Sequence, residues 1–195
     1  MAEQQTDETA VGKSEESKPE ATKYLTVTLP GPDGSAAVEA VLELDEDATK
    51  HPRLAKITKS PNEGAGNVSA GDGETHIILS VGSGHQTAAV FYDECVGPLL
   101  AAAYPNDHQS FHVHTTTSAT SVLELANGVF FPKANAGTPL RIIVLSGDGG
   151  VIDLVNGLSS HSTSPAYVAP QVVLLPLGTA NALYHSVNPG KPNTW

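Results

Sequence analysis

Basic residues are scarce in this chain of 195: ten Lys and Arg stand against 21 Asp and Glu, a formal net charge of −11. A nucleic-acid binder needs a basic footprint for phosphates, so that class is excluded, and a simple electrostatic anchor to anionic lipid is disfavoured. Cysteine is nearly absent. Cys95 stands alone, which rules out an internal disulfide and fits a reducing compartment. No apolar run approaches the ~18–20 residues of a membrane span, and the N-terminus lacks both the apolar core of a signal peptide and the Arg-rich character of a mitochondrial address. A soluble cytoplasmic protein with at most peripheral membrane contact is the expectation.

What is present divides along the chain. Residues 1–23 are Glu, Thr, Ser, Gln and Lys with almost no large apolar side chains, too little burial to offset ordering entropy, so an acidic disordered tail is expected. Tyr24 to Pro30 and Ala36 to Leu44 flank the turn Gly31-Pro32-Asp33-Gly34 and read as a β-hairpin. Residues 45–73, polar and broken by Pro52 and Pro61, read as a linker, so 24–74 is hairpin plus polar linker. From Thr75 the rhythm becomes strand, turn, helix. The expected strands are His76–Ser80, Ser110–His114, Arg141–Leu145 and Gln171–Leu175; the helices are 86–103, 118–130, 150–158 and 179–186. Alternating β and α elements imply a three-layer α/β sandwich with a mainly parallel sheet, whose ligands bind outside the carboxyl ends of the strands. Residues 190–195 are read as a terminal coil.

The most telling residues fall on that edge. Val144-Leu145-Ser146-Gly147-Asp148-Gly149-Gly150 and Leu175-Pro176-Leu177-Gly178-Thr179-Ala180-Asn181 each run from an apolar strand into a glycine-rich turn and a helix start. Free backbone N–H groups and the positive helix end make such a turn a seat for an anion, and two in one domain suggest a phosphorylated nucleotide. Asp148, between Gly147 and Gly149, is placed to bind Mg²⁺ or act as a general base, or instead to close its own turn by an Asx-type hydrogen bond. Gly147, Gly149 and Gly150 offer bare amides to phosphates, or simply an ordinary tight connection. Asn156 and Gly157 are read as support from within or behind the helix. Thr179 and Asn181 face a nucleotide or cap the last helix.

Ser-Gly-Asp-Gly, the following Val155-Asn156-Gly157-Leu158, and Leu-Pro-Leu-Gly-Thr-Ala-Asn-Ala-Leu together resemble the catalytic domain of the diacylglycerol and sphingosine (long-chain base) lipid kinases. Ile77-Ile78-Leu79 with Ser80-Val81-Gly82-Ser83-Gly84, and Thr116 through Glu124-Leu125, extend the resemblance over residues 75–189. The resemblance implies the nucleotide-binding half of the fold shared by diacylglycerol and nicotinamide-dinucleotide kinases. It implies ATP and Mg²⁺ as cofactors and transfer of the γ-phosphoryl to a lipid hydroxyl of a sphingoid base or diacylglycerol. Asp148 would be the catalytic residue and Mg²⁺ ligand. The nucleotide would be held by Ser83, Gly84, Thr116, Ser146, Gly147, Gly149, Gly150, Gly178, Thr179 and Asn181.

This sequence also departs from the family pattern. Between Thr75 and Trp195 only Lys133, Arg141 and Lys191 are cationic, where a phosphoryl-transfer site normally places Arg or Lys beside the metal. Gly150, Asp153, Ala180 and Ser121 replace the usual side chains. The β-rich lipid-binding half of the resembling kinases has no counterpart before the chain ends at Trp195, so a homo-oligomer or a partner supplying that half is one expectation. A truncated or degenerate non-catalytic module is the alternative function, and a nicotinamide-dinucleotide kinase relative a second enzyme reading that Leu-Pro-Leu-Gly-Thr-Ala-Asn disfavours. His112 and His114 share a strand face with His108 nearby, but lack a clear fourth metal ligand and are read as ordinary strand histidines. Cys95 belongs to an apolar helix stripe with Ala88, Phe91 and Leu99, read as core.

Overall fold

A computed structural model of the chain describes residues 23–30, 36–44, 52–59, 73–104 and 111–189. Four parallel strands form the central sheet: β4 (Glu74–Leu79), β5 (His112–Thr115), β6 (Leu140–Ser146) and β7 (Gln171–Pro176), in the order β5-β4-β6-β7. The register pairs Ile77 with Val113 and Ile143, and Ile143 with Val173. β4 and β6 are almost wholly buried, as expected for strands covered on both faces.

Helices cover both sides. On one face Ile77, Leu79, Ile143 and Leu145 pack against Phe91, Cys95 and Val96. Those three belong to a helix built from α1 (Ala88–Phe91), a wider π-type turn at Tyr92–Val96 and α2 (Gly97–Ala103). On the other face Ile78, Ile142 and Val144 meet Val122, Phe130 and Leu154. These come from α3 (Ser121–Leu125), a second π-type turn at Ala126–Phe130, and α5 (Asp148–Ser159), with α4 (Phe131–Asn135) extending the run. A short α6 (Ala182–Val187) closes the described chain. The three-layer parallel α/β sandwich is the observed fold. Burial pushes the Cys95 thiol up to about 11, so it stays a protonated core group.

Several boundaries differ from the sequence expectation, each for a physical reason. The second helix was expected to stop near Phe130, before Pro132. Instead it runs on to Asn135, because the π-type turn directly ahead of the proline widens the ladder its ring would otherwise clash with. Pro98 follows the first π-type turn in the same way. The expected linker 45–73 contains a strand, β3 (Arg53–Lys59), which pairs antiparallel with β2 (Ala36–Leu44) beside β1 (Lys23–Pro30). The hairpin is thus part of a three-stranded sheet, and Lys23, assigned to the tail, opens its first strand. The rest of the expected tail (1–22) and the expected terminal coil (190–195) lie outside the described residues. Leu42 is buried, and with Leu25 and Leu54 it packs onto the Phe91–Cys95 core.

Candidate functional site

Because the strands are parallel, the four turns leaving β4, β5, β6 and β7 emerge on one edge. Three of them enclose a cleft of ≈ 450 Å³, lined by Ser80–Ser83 after β4, Thr116–Ala119 after β5, and Gly149, Gly150 and Asp153 of α5. Gly147 is the N-cap of α5 in an extended conformation, and no side chain caps the helix. The first-turn amides and the positive end of a 12-residue helix are therefore available at the cleft. Gly149 is exposed, and a Cβ built on it would meet nothing within 4 Å. The cleft can admit a phosphate against bare backbone.

The edges of the cleft are tied by hydroxyls. Ser83 Oγ lies 2.9 Å from both Ser80 Oγ and the fully buried Ser146 Oγ, and accepts the Gly147 N–H at 3.3 Å. Thr116 Oγ1 accepts the Val81 N–H at 3.1 Å, joining the ends of β4 and β5. Ser121 Oγ accepts the N–H groups of Thr117 and Ser118 at 3.1 and 3.0 Å, fixing the approach to α3.

Of the residues singled out in the sequence, Ser83, Thr116, Gly149 and Gly150 reach the cleft. The remainder, Thr179 apart, form a seam behind it. A Cβ on Gly178 would sit 2.6 Å from Gly147 Cα, so the two glycine turns are pressed backbone to backbone. Gly84, at φ +50°, packs against the Leu177 carbonyl. Asn181 is buried at φ 49°; its Oδ1 accepts the Gly178 N–H at 2.8 Å and its Nδ2 donates to the Gly178 and Pro176 carbonyls at 2.7 and 3.2 Å. That left-handed residue also explains why the last helix begins at Ala182 rather than near Thr179, which is exposed.

Asp148 is the first residue of α5, and its carboxylate points along the seam. Oδ2 accepts the Ala182 N–H at 2.8 Å and Oδ1 the Leu183 N–H at 3.0 Å, so it caps α6 from a neighbouring element. Neither an Asx-type closure of its own turn nor this cross-cap was separable by spacing alone. A carboxylate has about four lone-pair positions, and the two amides leave the others for a metal or a proton. Sequence reasoning missed Ser80 and Ser118 as cleft residues, although Ser80 directly follows β4 and Ser118 stands three residues past β5 on the ligand edge. Among the described residues no Lys or Arg lines the cleft.

The opposite edge carries a second polar cluster. His112 and His114 do share a face, as expected, and the register sets His112 beside His76. His76 Nε2 lies 3.1 Å from Glu74 Oε2 and its Nδ1 3.0 Å from His114 Nε2. Lys133 donates to Glu74 Oε1 at 2.8 Å. That bond, more than any other influence, holds the Glu74 carboxyl below its usual range. Burial lowers His76 to about 4 and also lowers His114, so both are neutral imidazoles at physiological pH. His108 lies outside the described residues.

A parallel α/β sandwich with glycine turns and an uncapped helix end over a cleft defines a three-layer α/β domain whose ligand edge offers bare backbone amides. Residues 74–194 match the model of the diacylglycerol kinase catalytic domain, and the chain belongs to that family. It is thereby a lipid kinase-family domain. Among solved structures, two crystal structures from Bacillus anthracis str. Sterne are similar, one described as a diacylglycerol kinase and the other provisionally assigned to that class. Each is 23% identical with a TM-score of 0.45 over 62% of this chain, which spans only 39% and 36% of their respective lengths. No curated protein matches the sequence. Among the described residues no helix is long and apolar enough to cross a membrane.

Proposed function

We propose that this chain is the nucleotide-binding part of an ATP-dependent lipid kinase, taking Mg·ATP in the cleft and serving transfer of its γ-phosphoryl to the hydroxyl of a sphingoid base or diacylglycerol. One observation carries the reading: the first turn of α5, uncapped and bare at Gly149, faces Ser80–Ser83 and Thr116–Ala119 across a cleft on the carboxyl edge of the sheet. Family membership supports it. The phosphates take the α5 amides and the hydroxyls of Ser83 and Thr116. Ser146, Gly147, Gly150, Gly178 and Asn181 set the shape of that cradle.

The donor set fits a hard divalent cation. Asp153 lines the cleft, Asp148 stands at the start of the same helix, and hydroxyls and backbone complete an all-oxygen environment. Mg²⁺, when bound, supplies the charge neutralisation that Lys or Arg gives elsewhere. Asp148 is the residue assigned to accept the lipid hydroxyl's proton.

A second reading, a non-catalytic nucleotide-binding module, draws on two observations: among the described residues no cationic side chain lines the cleft, and both Asp148 oxygens already accept amides. Phosphorylation of sphingosine and diacylglycerol by ATP, measured beside Asp148→Asn with ATP binding followed separately, decides between them. Turnover lost in the variant with ATP binding kept supports the kinase. Intact ATP binding without turnover in the wild type supports the module, and absence of ATP binding removes both.

A further inference from the structure

Glu74, His76, His112 and His114 lie on one face of two adjacent parallel strands, with Glu74 at the amino edge of the sheet and His114 level with Ile78 toward the other end. From Glu74 to Leu79 the strand rises roughly 16 Å, so this edge is remote from the glycine turns. The imidazoles are stacked: His76 and His112 have ring centroids 4.7 Å apart at 23°, His76 and His114 5.3 Å at 22°. The stack brings two imidazole nitrogens, His76 Nε2 and His112 Nε2, to one carboxylate.

We propose that Glu74 Oε2, His76 Nε2 and His112 Nε2 form a binding site for a divalent transition-metal ion of the zinc class. Glu74 Oε2 is 3.1 Å from His76 Nε2 and 3.8 Å from His112 Nε2, and the three ligand atoms lie within 4.8 Å of one another. Tetrahedral bonds of about 2.0–2.1 Å set ligand atoms roughly 3.3 Å apart, so a small turn of the exposed His112 ring closes the site. Two imidazoles and a carboxylate choose a borderline ion over Mg²⁺ or Ca²⁺.

The surroundings suit the same role. With Nε2 on the metal, His76 carries its proton on Nδ1 and donates it to His114 Nε2 at 3.0 Å, the outer contact that fixes a ligating histidine. Lys133 holds Oε1 of Glu74 and leaves Oε2 for the ion. Three protein ligands, with the half-exposed His112 at the rim, leave a fourth position to water. Such an ion would pin β5, a four-residue edge strand paired on one side, to β4.

The test uses the untagged full chain, stripped with EDTA and titrated with ZnCl₂ by calorimetry, with CoCl₂ as a spectroscopic probe. The expected result is one equivalent of saturable binding, tetrahedral Co²⁺ absorption, and a melting temperature that rises with Zn²⁺. His112→Ala alters an exposed side chain and leaves the fold intact; it weakens binding at least about tenfold and removes the Co²⁺ bands. Glu74→Gln does the same, with circular dichroism checking its fold, while His161→Ala changes nothing. Absence of saturable binding overturns the proposal, as does binding that His112→Ala leaves unaltered. The readout needs neither ATP nor lipid, so it stands apart from the kinase reading.

Discussion

Gly149 and Gly178 belong to the two glycine turns and do different things. At Gly178 a methyl group would strike Gly147 Cα at 2.6 Å and Asn181 Oδ1 at 2.8 Å, both fixed by the seam. Gly178→Ala should therefore destabilise the fold by about 1–3 kcal/mol, read as a lower melting temperature. Gly149 is helical and open, so alanine there should gain roughly 0.5–1 kcal/mol of helix stability. The same methyl stands in the cleft, and ATP affinity should drop about tenfold, a loss of ~1.4 kcal/mol measured by titration. A Gly149→Ala variant that melts higher and binds ATP unchanged would remove the first turn of α5 from the phosphate site. Asp148 separates in the same manner. Asp148→Asn keeps one acceptor oxygen and turns an NH₂ toward an amide of α6, which should cost about 1 kcal/mol, or roughly 3 °C in melting temperature, apart from any loss of turnover.

Elements were legible where burial imposed one clear pattern. The apolar runs of β4, β6 and β7 announced themselves, and so did the ligand edge, because parallel strands put every strand-to-helix turn on one side. β3 was hidden by its own geometry. Ala40 pairs with Ile57 and Leu42 with Leu54, so the two inward residues of β3 are three apart rather than two. The irregularity between Val41 and Leu42 absorbs the extra residue and erases the alternation a strand should show. The cleft was half legible for a similar reason. Glycine spacing marks both turns, but it cannot tell a glycine that faces ligand from one that lets two backbones meet. Gly157 is of the second kind, buried where α5 crosses Ala126, with a built Cβ overlapping that side chain and 3.3 Å from the Leu123 carbonyl. Helix propensity alone favours alanine there by about 1 kcal/mol. We expect the opposite sign: Gly157→Ala should destabilise by about 1–3 kcal/mol in urea denaturation, because α3 and α5 have to separate.

The whole molecule poses the question of how many cooperative units it holds. The sequence divides at about residue 75, hairpin and linker before it and nucleotide-binding domain after. Yet Leu42 of the antiparallel sheet sits in the same buried cluster as Ile77, Phe91, Cys95 and Leu145 of the parallel one, with Leu25 and Leu54 against it. Arg53 Nε stands 3.9 Å from Glu94 across that junction, between exposed side chains, and adds little. The apolar contact is the bond between the two sheets. If it joins them thermodynamically, Leu42→Ala should remove about 2–4 kcal/mol from a single unfolding transition, monitored together by far-ultraviolet circular dichroism and by the exposure of Cys95 to a thiol reagent. Cys95 is the useful probe because it is buried in the shared cluster and protonated, so it reacts only when α1 and α2 leave the sheet. Two separate transitions, with Cys95 protection unchanged in Leu42→Ala, would make the N-terminal sheet an appendage and residues 75–189 a folding unit in their own right. A single transition lowered as a whole would place the true boundary ahead of β1 and make the N-terminal sheet a fixed wall of the kinase subdomain.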